Sequence, residues 1–154
     1  MNDYLHNNKA IRYLISHGNH DHPRDGRCSL EWVSYIAGER HSALPECVSG
    51  EVRNAGIWLN DVAGGCGKDR ESLRPLLLRM IGTAGDGKHI ERAIAINESR
   101  YNPTLPPGVA VFSREATAIR WQSLYDTLDR ILPREVELPP KMLDRALAFC
   151  KAGS

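Results

Sequence analysis

The sequence lacks the features that mark membrane proteins, secreted proteins and strongly basic nucleic-acid-binding proteins. No apolar run approaches the ~18 residues of a membrane span, and the polar start MNDYLHNNKAIRYLIS has no apolar segment typical of a secretory signal. The formal net charge is +1 for 154 residues, which is no strong signal for nucleic-acid binding. We therefore expect a soluble, cytoplasmic protein with no membrane partner, whose cysteines stay reduced.

A clear strand pattern is also missing, and nearly every periodic segment has a helical period. The clearest seam contains Val48, Val52, Ala55, Leu59 and Val62, at spacings of four, three, four and three residues, which is typical of a buried helix face. The sequence predicts an all-α fold, a compact single-domain bundle of six or seven helices with little or no sheet. The predicted helices cover residues 3–16, 29–37, 49–62, 72–81, 90–97, 113–132 and 140–150.

Residues 99–113 interrupt this helical pattern. Three prolines in this range exclude a helix and predict a proline-rich connector. Within it, residues 109–112 are apolar enough to predict one isolated extended segment. The connector lies within a single helical domain, residues 1–154, and no internal repeat is present.

Two short motifs resemble catalytic signatures but lack residues that those signatures require. The glycine loop GGCGKD fails as a phosphate-binding loop, because Val62 stands where the first glycine belongs and Asp69 follows Lys68 in place of Ser or Thr. The triplet HIE at 89–91 resembles half of a zinc deaminase signature, but no Pro-Cys-x-x-Cys follows it. We predict a helix-ending loop for the first motif and an exposed helix face for the second.

Residues 17–61 hold most of the chemically versatile side chains and are predicted to form a helical hairpin. Histidine and cysteine are the usual zinc ligands. The candidate metal ligands in this range are His17, His20, His22, Cys28, His41 and Cys47. No Cys-x-x-Cys pair is among them, so the spacing matches no standard zinc finger. We therefore expect that folding needs neither zinc nor another cofactor.

Cys28 is the candidate nucleophile. It follows the predicted Asp25-Gly26 turn at the start of a helix, where free N–H groups would lower the pKa of its thiol. The string Asp-Gly-x-Cys resembles the nucleophile turn of ovarian-tumour-type cysteine proteases, which implies a histidine base, and His20 and His41 are the candidates. The opposing interpretation is a buried thiol that packs beneath its helix. We expect the buried thiol, with slow alkylation in the native state.

A longer pattern in this region, DGxCxxE followed by AGExHSxxPxCxS and LND, resembles a family of uncharacterised small proteins from actinobacteria and their phages. The likeness covers about residues 17–97. The matching residues are Asp25, Gly26, Cys28, Glu31, Gly38, Glu39, His41, Ser42, Pro45, Cys47, Ser49, Asn60 and Asp61. The resemblance implies an actinobacterial or phage origin and no particular activity. After residue 95 the chain departs from the expected apolar continuation.

The polar residues of this pattern define a candidate binding site. The candidate ligand-binding residues are Asp25, Glu31, Glu39, His41, Ser42, Asn60 and Asp61. In an antiparallel hairpin, Asp61 would return near Cys28, while Glu39, His41 and Cys47 would gather at the opposite end. Glu31 is predicted on the polar side of its helix. The alternative is structural, because short polar residues commonly cap helices and satisfy turns.

These observations favour a helical binding or regulatory protein over an enzyme. Its partner would be a protein or a small polar ligand, bound through the connector side of the hairpin. The alternative function is a thiol-dependent hydrolase or transferase that uses Cys28. Whether the chain forms a homo-oligomer is left open by the sequence.

Overall fold

The computed structural model describes residues 14–101 and 103–152. Within these ranges it contains six α-helices, four short 3₁₀ turns and no strand, apart from one isolated parallel bridge between Ile15 and Arg27. The predicted all-α fold is therefore confirmed. The helices are α1 (Ser29–Ala37), α2 (Gly50–Val62), α3 (Arg74–Met80), α4 (His89–Tyr101), α5 (Arg114–Ile131) and α6 (Pro140–Ala152). No helix of these ranges has the length and apolar character needed to cross a membrane.

Local chemistry explains where several helices begin and end. The Ser113 hydroxyl accepts a hydrogen bond from the N–H of Ala116 at 3.1 Å and so caps α5 at the predicted helix start. Gly38 ends α1 in the left-handed conformation (φ 75°), where a side chain would be strained. The turn before α3 is capped by Asp69, three residues before the predicted helix start at residue 72.

Helices α1 and α2 pack closely at the centre of the core. A Cβ atom placed on Gly56 would lie only 2.9 Å from Cδ2 of Leu30, so the absence of a side chain there permits the close approach. The indole N–H of Trp121 donates to the carbonyl of Leu59 at 2.8 Å and attaches α5 to α2. The predicted seam is part of this core: Val48, Val52, Ala55 and Leu59 are buried and Val62 is partly buried.

A chain of hydrogen bonds joins the first described segment to the last helix. The N–H of Ile15 donates to Oε1 of Glu71 at 2.7 Å, and Oε2 of Glu71 accepts from Nε of Arg74 at 2.5 Å. Arg74 is itself buried and donates to the carbonyl of Phe149 in α6 at 3.0 Å. The buried guanidinium of Arg74 therefore connects α6 to Glu71, and Glu71 connects it to the segment at Ile15.

Three predicted segments differ in the structure. The predicted helix 3–16 lies mostly outside the described residues, and its last part, residues 14–16, is not helical, because the N–H of Ser16 bonds across to the carbonyl of Arg27 at 2.8 Å. Residues 109–112 are not an extended segment. Their backbone forms local turns. The N–H of Val109 donates to the carbonyl of Pro106, and the N–H of Ser113 donates to the carbonyl of Ala110. The connector also begins later than predicted, since α4 continues to residue 101.

We expect Leu59→Ala to lower the free energy of unfolding by ~2–5 kcal/mol, because truncation of a buried leucine loses apolar burial and leaves a cavity. Leu59 is 0% exposed. The measurement is equilibrium unfolding in urea. Ile94→Ala is the control, since Ile94 is 56% exposed and should change stability by less than about 0.5 kcal/mol. Equal midpoints for parent and Leu59→Ala would show that the seam does not stabilise the fold.

Candidate functional site

The polar residues of the hairpin converge on the buried carboxylate of Glu31, which is 1% exposed. Oε1 accepts from the backbone N–H of Cys28 at 2.8 Å and from Nδ1 of His20 at 2.9 Å. Oε2 accepts from the backbone N–H of His20 at 3.0 Å and faces Nε2 of His41 at 3.0 Å. Each oxygen therefore has two N–H neighbours. We call Glu31, His20, His41 and Cys28 the Glu31 cluster.

His41 lies beside Glu31, and so the predicted separation of His41 from Cys28 is wrong. The connector after α1 folds back along the helix, because the hydroxyl of Ser34 donates to the carbonyl of Ser42 at 2.6 Å. Nε2 of His41 also donates to the carbonyl of His20 at 2.7 Å. The prediction that Glu31 is on a polar helix face is wrong for the same reason, since the folded-back connector helps to bury it.

The cluster shifts the pKa of its acid and of its thiol in opposite directions. Burial by itself would raise the pKa of Glu31, but hydrogen bonds from the backbone of Cys28 and from His20 outweigh it and lower this pKa. Burial, together with the Glu31 carboxylate, raises the pKa of the Cys28 thiol to about 12. The thiol is 3% exposed. Glu31 is therefore held as a carboxylate and Cys28 as a neutral thiol.

Asn60 and Asp61 hold the segment before α1 against the end of α2. Oδ1 of Asn60 accepts from both the N–H and the hydroxyl of Ser29, at 3.0 and 2.6 Å. Its Nδ2 donates to the carbonyl of Ser16 at 3.0 Å, and Oδ1 of Asp61 accepts from the N–H of Gly18 at 3.2 Å. The end of α2 therefore returns to the start of α1 through Asn60 and Ser29, whereas Asp61, which was predicted near Cys28, binds Gly18.

Glu39 and Cys47 form a second polar pair, as the hairpin geometry predicted, without His41. The carboxylate of Glu39 accepts from the backbone N–H groups of Glu46 and Cys47, at 2.7 and 3.1 Å. Burial and the nearby Glu39 raise the pKa of the Cys47 thiol to about 12. The hydroxyl of Ser42 accepts from the N–H of Leu44 at 3.0 Å. These residues therefore shape the connector.

The metal candidates are divided among three places. Cys28, His20 and His41 belong to the Glu31 cluster, and Cys47 lies beside Glu39. His17 and His22 are exposed, as is Asp25. Within the described ranges, no group of three or more His, Cys, Asp or Glu side chains is arranged to hold a metal ion.

Several residues of this network carry no signal in the sequence. Glu71 accepts a hydrogen bond from the N–H of Ile15, which lies 56 residues earlier in the sequence. Arg70 donates to the carbonyl of Asn60 at 2.7 Å. The guanidinium of Arg27 lies 4.8 Å from the ring centroid of Trp32 and 4.7 Å from that of Tyr35. Glu71 and Arg70 act across loops, where periodicity gives no information, whereas Arg27 lies over two rings of the helix that follows it.

Comparison with known proteins adds no family assignment: no family model, no curated protein and no solved structure matches the chain.

We expect Glu31→Gln to lower the free energy of unfolding at pH 7 by about 3 kcal/mol, because an amide N–H₂ would face buried N–H donors that now bond to a carboxylate. Since the pKa of Glu31 is lowered from 4.5, its stabilisation is complete above pH 4.5 and is lost as pH falls through the folded-state pKa. The difference between parent and variant should therefore shrink as the pH falls below 4.5 and through the lowered folded-state pKa of Glu31.

The measurement is the urea midpoint at each pH. Glu46→Gln is the matched control, because Glu46 is exposed and its loss should change stability by less than about 0.5 kcal/mol. A difference between parent and Glu31→Gln that stays constant from neutral to acidic pH would contradict the assignment.

We expect Cys28 to be alkylated slowly in the native state, because its thiol is buried and its pKa is raised to about 12. The measurement is iodoacetamide labelling against pH, followed by peptide mass spectrometry. Cys150 is exposed and provides the internal control for a rapidly labelled thiol. Labelling of Cys28 at the rate of Cys150, with an apparent pKa below ~8.5, would favour nucleophilic catalysis instead.

Proposed function

We propose that this chain is a helical binding protein that presents residues 17–25, here called the outer loop, to a protein partner. One observation carries the proposal: the backbone before and within the loop is bound inward at alternate positions. The N–H groups of Ser16, Gly18 and His20 donate to Arg27, Asp61 and Glu31. The residues that follow each of them are exposed and polar: His17, Asn19 and Asp21.

This arrangement favours recognition because the loop is ordered before the partner arrives. A pre-organised loop loses less conformational entropy on binding, and functional loops are commonly held by a rigid scaffold. The imidazole, amide and carboxylate groups at 17, 19 and 21 offer both hydrogen-bond donors and acceptors. Small ligands prefer concave sites, whereas a row of alternating exposed side chains suits an extended protein surface.

The sequence pattern supports the same proposal. Most residues of the pattern that lie near the outer loop hold the loop in place and are not exposed to solvent. Glu31, Asn60 and Asp61 bind the backbone directly. Gly26 (φ 120°) allows the turn, since a Cβ there would lie 2.8 Å from Oγ of Ser16. An actinobacterial or phage accessory factor, as the resemblance implies, would keep this scaffold and vary the exposed residues.

The thiol-enzyme alternative is less well supported. A nucleophilic cysteine needs a reachable thiolate and a base with an accepting nitrogen. Cys28 is 3% exposed and its pKa is raised. The facing nitrogens of His20 and His41 are already bound to the Glu31 carboxylate. We therefore propose the binding function alone.

We expect a photo-crosslinking amino acid at position 19 to capture one discrete protein in cells that naturally carry the gene. The same group at Glu98, which is exposed on α4, is the control and should not capture that protein. The adduct is identified by mass spectrometry, and the partner is then purified and its affinity measured. Absence of an adduct at 19, or equal adducts at both positions, would contradict the proposal.

The purified pair allows a sharper comparison. The variant His17→Ala/Asn19→Ala/Asp21→Ala should weaken binding at least about tenfold, since it removes the polar contacts of the loop. Lys141→Ala/Asp144→Ala on α6 is the control and should bind like the parent. Equal affinities for parent and loop variant would show that the outer loop is not the recognition surface.

A further inference from the structure

Helix α6 has two apolar faces, and only one of them is buried in the core. Ala146 and Phe149 are buried. Leu143 and Leu147 are 45% and 49% exposed, and the exposed Cys150 continues their line at spacings of four and three residues. This spacing places the three side chains on one side of the helix. We call Leu143, Leu147 and Cys150 the α6 stripe.

The α6 stripe forms one wall of a groove with a volume of about 280 Å³. Apart from Arg79, Arg134 and the thiol of Cys150, the lining of this groove is apolar. The apolar side chains opposite the stripe come from α3 and from the segment before α6: Pro75, Leu78, Val136 and Leu138. Exposed leucines beside an apolar groove are typical of a protein contact surface. No residue of the outer loop lines the groove, so this surface is independent of the proposed recognition site.

The charges beside the α6 stripe have opposite signs and symmetric positions. Asp144 and Lys151 are exposed and stand seven residues apart. Seven residues are about two helical turns, so the two side chains share one flank of the stripe. Both are equally far from the midpoint between Leu147 and Ala148. If two such helices pack antiparallel about this midpoint, Asp144 of each lies opposite Lys151 of the other.

We propose that the α6 stripe is the contact surface of a symmetric dimer, in which the α6 helices of two copies pack antiparallel. Such an isologous contact requires a patch that is complementary to itself. The apolar part meets this requirement, because the stripe of each copy covers that of the other and buries leucine surface exposed in one copy alone. The charged part also meets it, because two Asp144–Lys151 pairs form. A parallel arrangement would instead place each charge beside its own copy.

The experiment is sedimentation equilibrium of the full chain over a range of concentrations. A thiol reductant is present, so that Cys150 cannot form a disulfide between copies. We expect the mass to rise with concentration from that of one chain towards that of two, with a dissociation constant on the order of 10 µM. The mass of one chain at every concentration up to about 0.5 mM would overturn the proposal and leave the groove to a different occupant.

The variant Leu143→Ser/Leu147→Ser should weaken the dimer at least about tenfold, because it removes the apolar contact. Ile90→Ser/Ile94→Ser on α4 is the matched control, since these side chains are also four residues apart and are 65% and 56% exposed. The control should dimerise like the parent. Both variants replace exposed side chains and should fold normally by circular dichroism. Equal dissociation constants for the two variants would overturn the proposal.

Exchange of the charges tests the direction of the two helices. Asp144→Lys should weaken the dimer about tenfold, because it places like charges opposite each other twice. Asp144→Lys/Lys151→Asp brings back opposite signs across the contact and should recover the dissociation constant of the parent. An exchange variant that dimerises as weakly as Asp144→Lys would contradict the antiparallel dimer.

Discussion

The buried carboxylate of Glu31 is the interaction on which the rest of the hairpin depends. It binds the start of its own helix through Cys28, the preceding loop through His20 and the following connector through His41. A charge this deeply buried is tolerated only when its hydrogen-bonding capacity is filled. Because the donors come from three separate segments, filling it requires all three to take one arrangement.

This constraint separates two groups of polar residues that look alike in the sequence. Glu31, Asn60 and Asp61 use their oxygens inside the protein, where they replace water around backbone N–H groups. His17, Asn19 and Asp21 leave theirs exposed. The first group gives the loop its shape and the second gives it a chemical surface. A site for recognition can therefore be built without a reactive residue.

The helices could be predicted because their causes are local. The cap at Ser113, the glycine after α1 and the apolar seam through Leu59 are each visible within a few residues. The position of His41 could not be predicted, because it depends on a hydrogen bond between Ser34 and Ser42 and on a carboxylate from another element. For the same reason the sequence did not predict that Glu71 supports the segment before α1.

The buried guanidinium of Arg74 has a consequence for how the chain opens. Arg74 links α6, through the carbonyl of Phe149, to Glu71 and then to Ile15. If α6 detaches, the guanidinium loses the carbonyl of Phe149 as an acceptor and the ring of Phe149 as its cover, and its ion pair with Glu71 becomes exposed to water. Both ends of the described chain therefore belong to one cooperative unit of local unfolding. A tag or a truncation at α6 should then also destabilise the segment that leads into the outer loop.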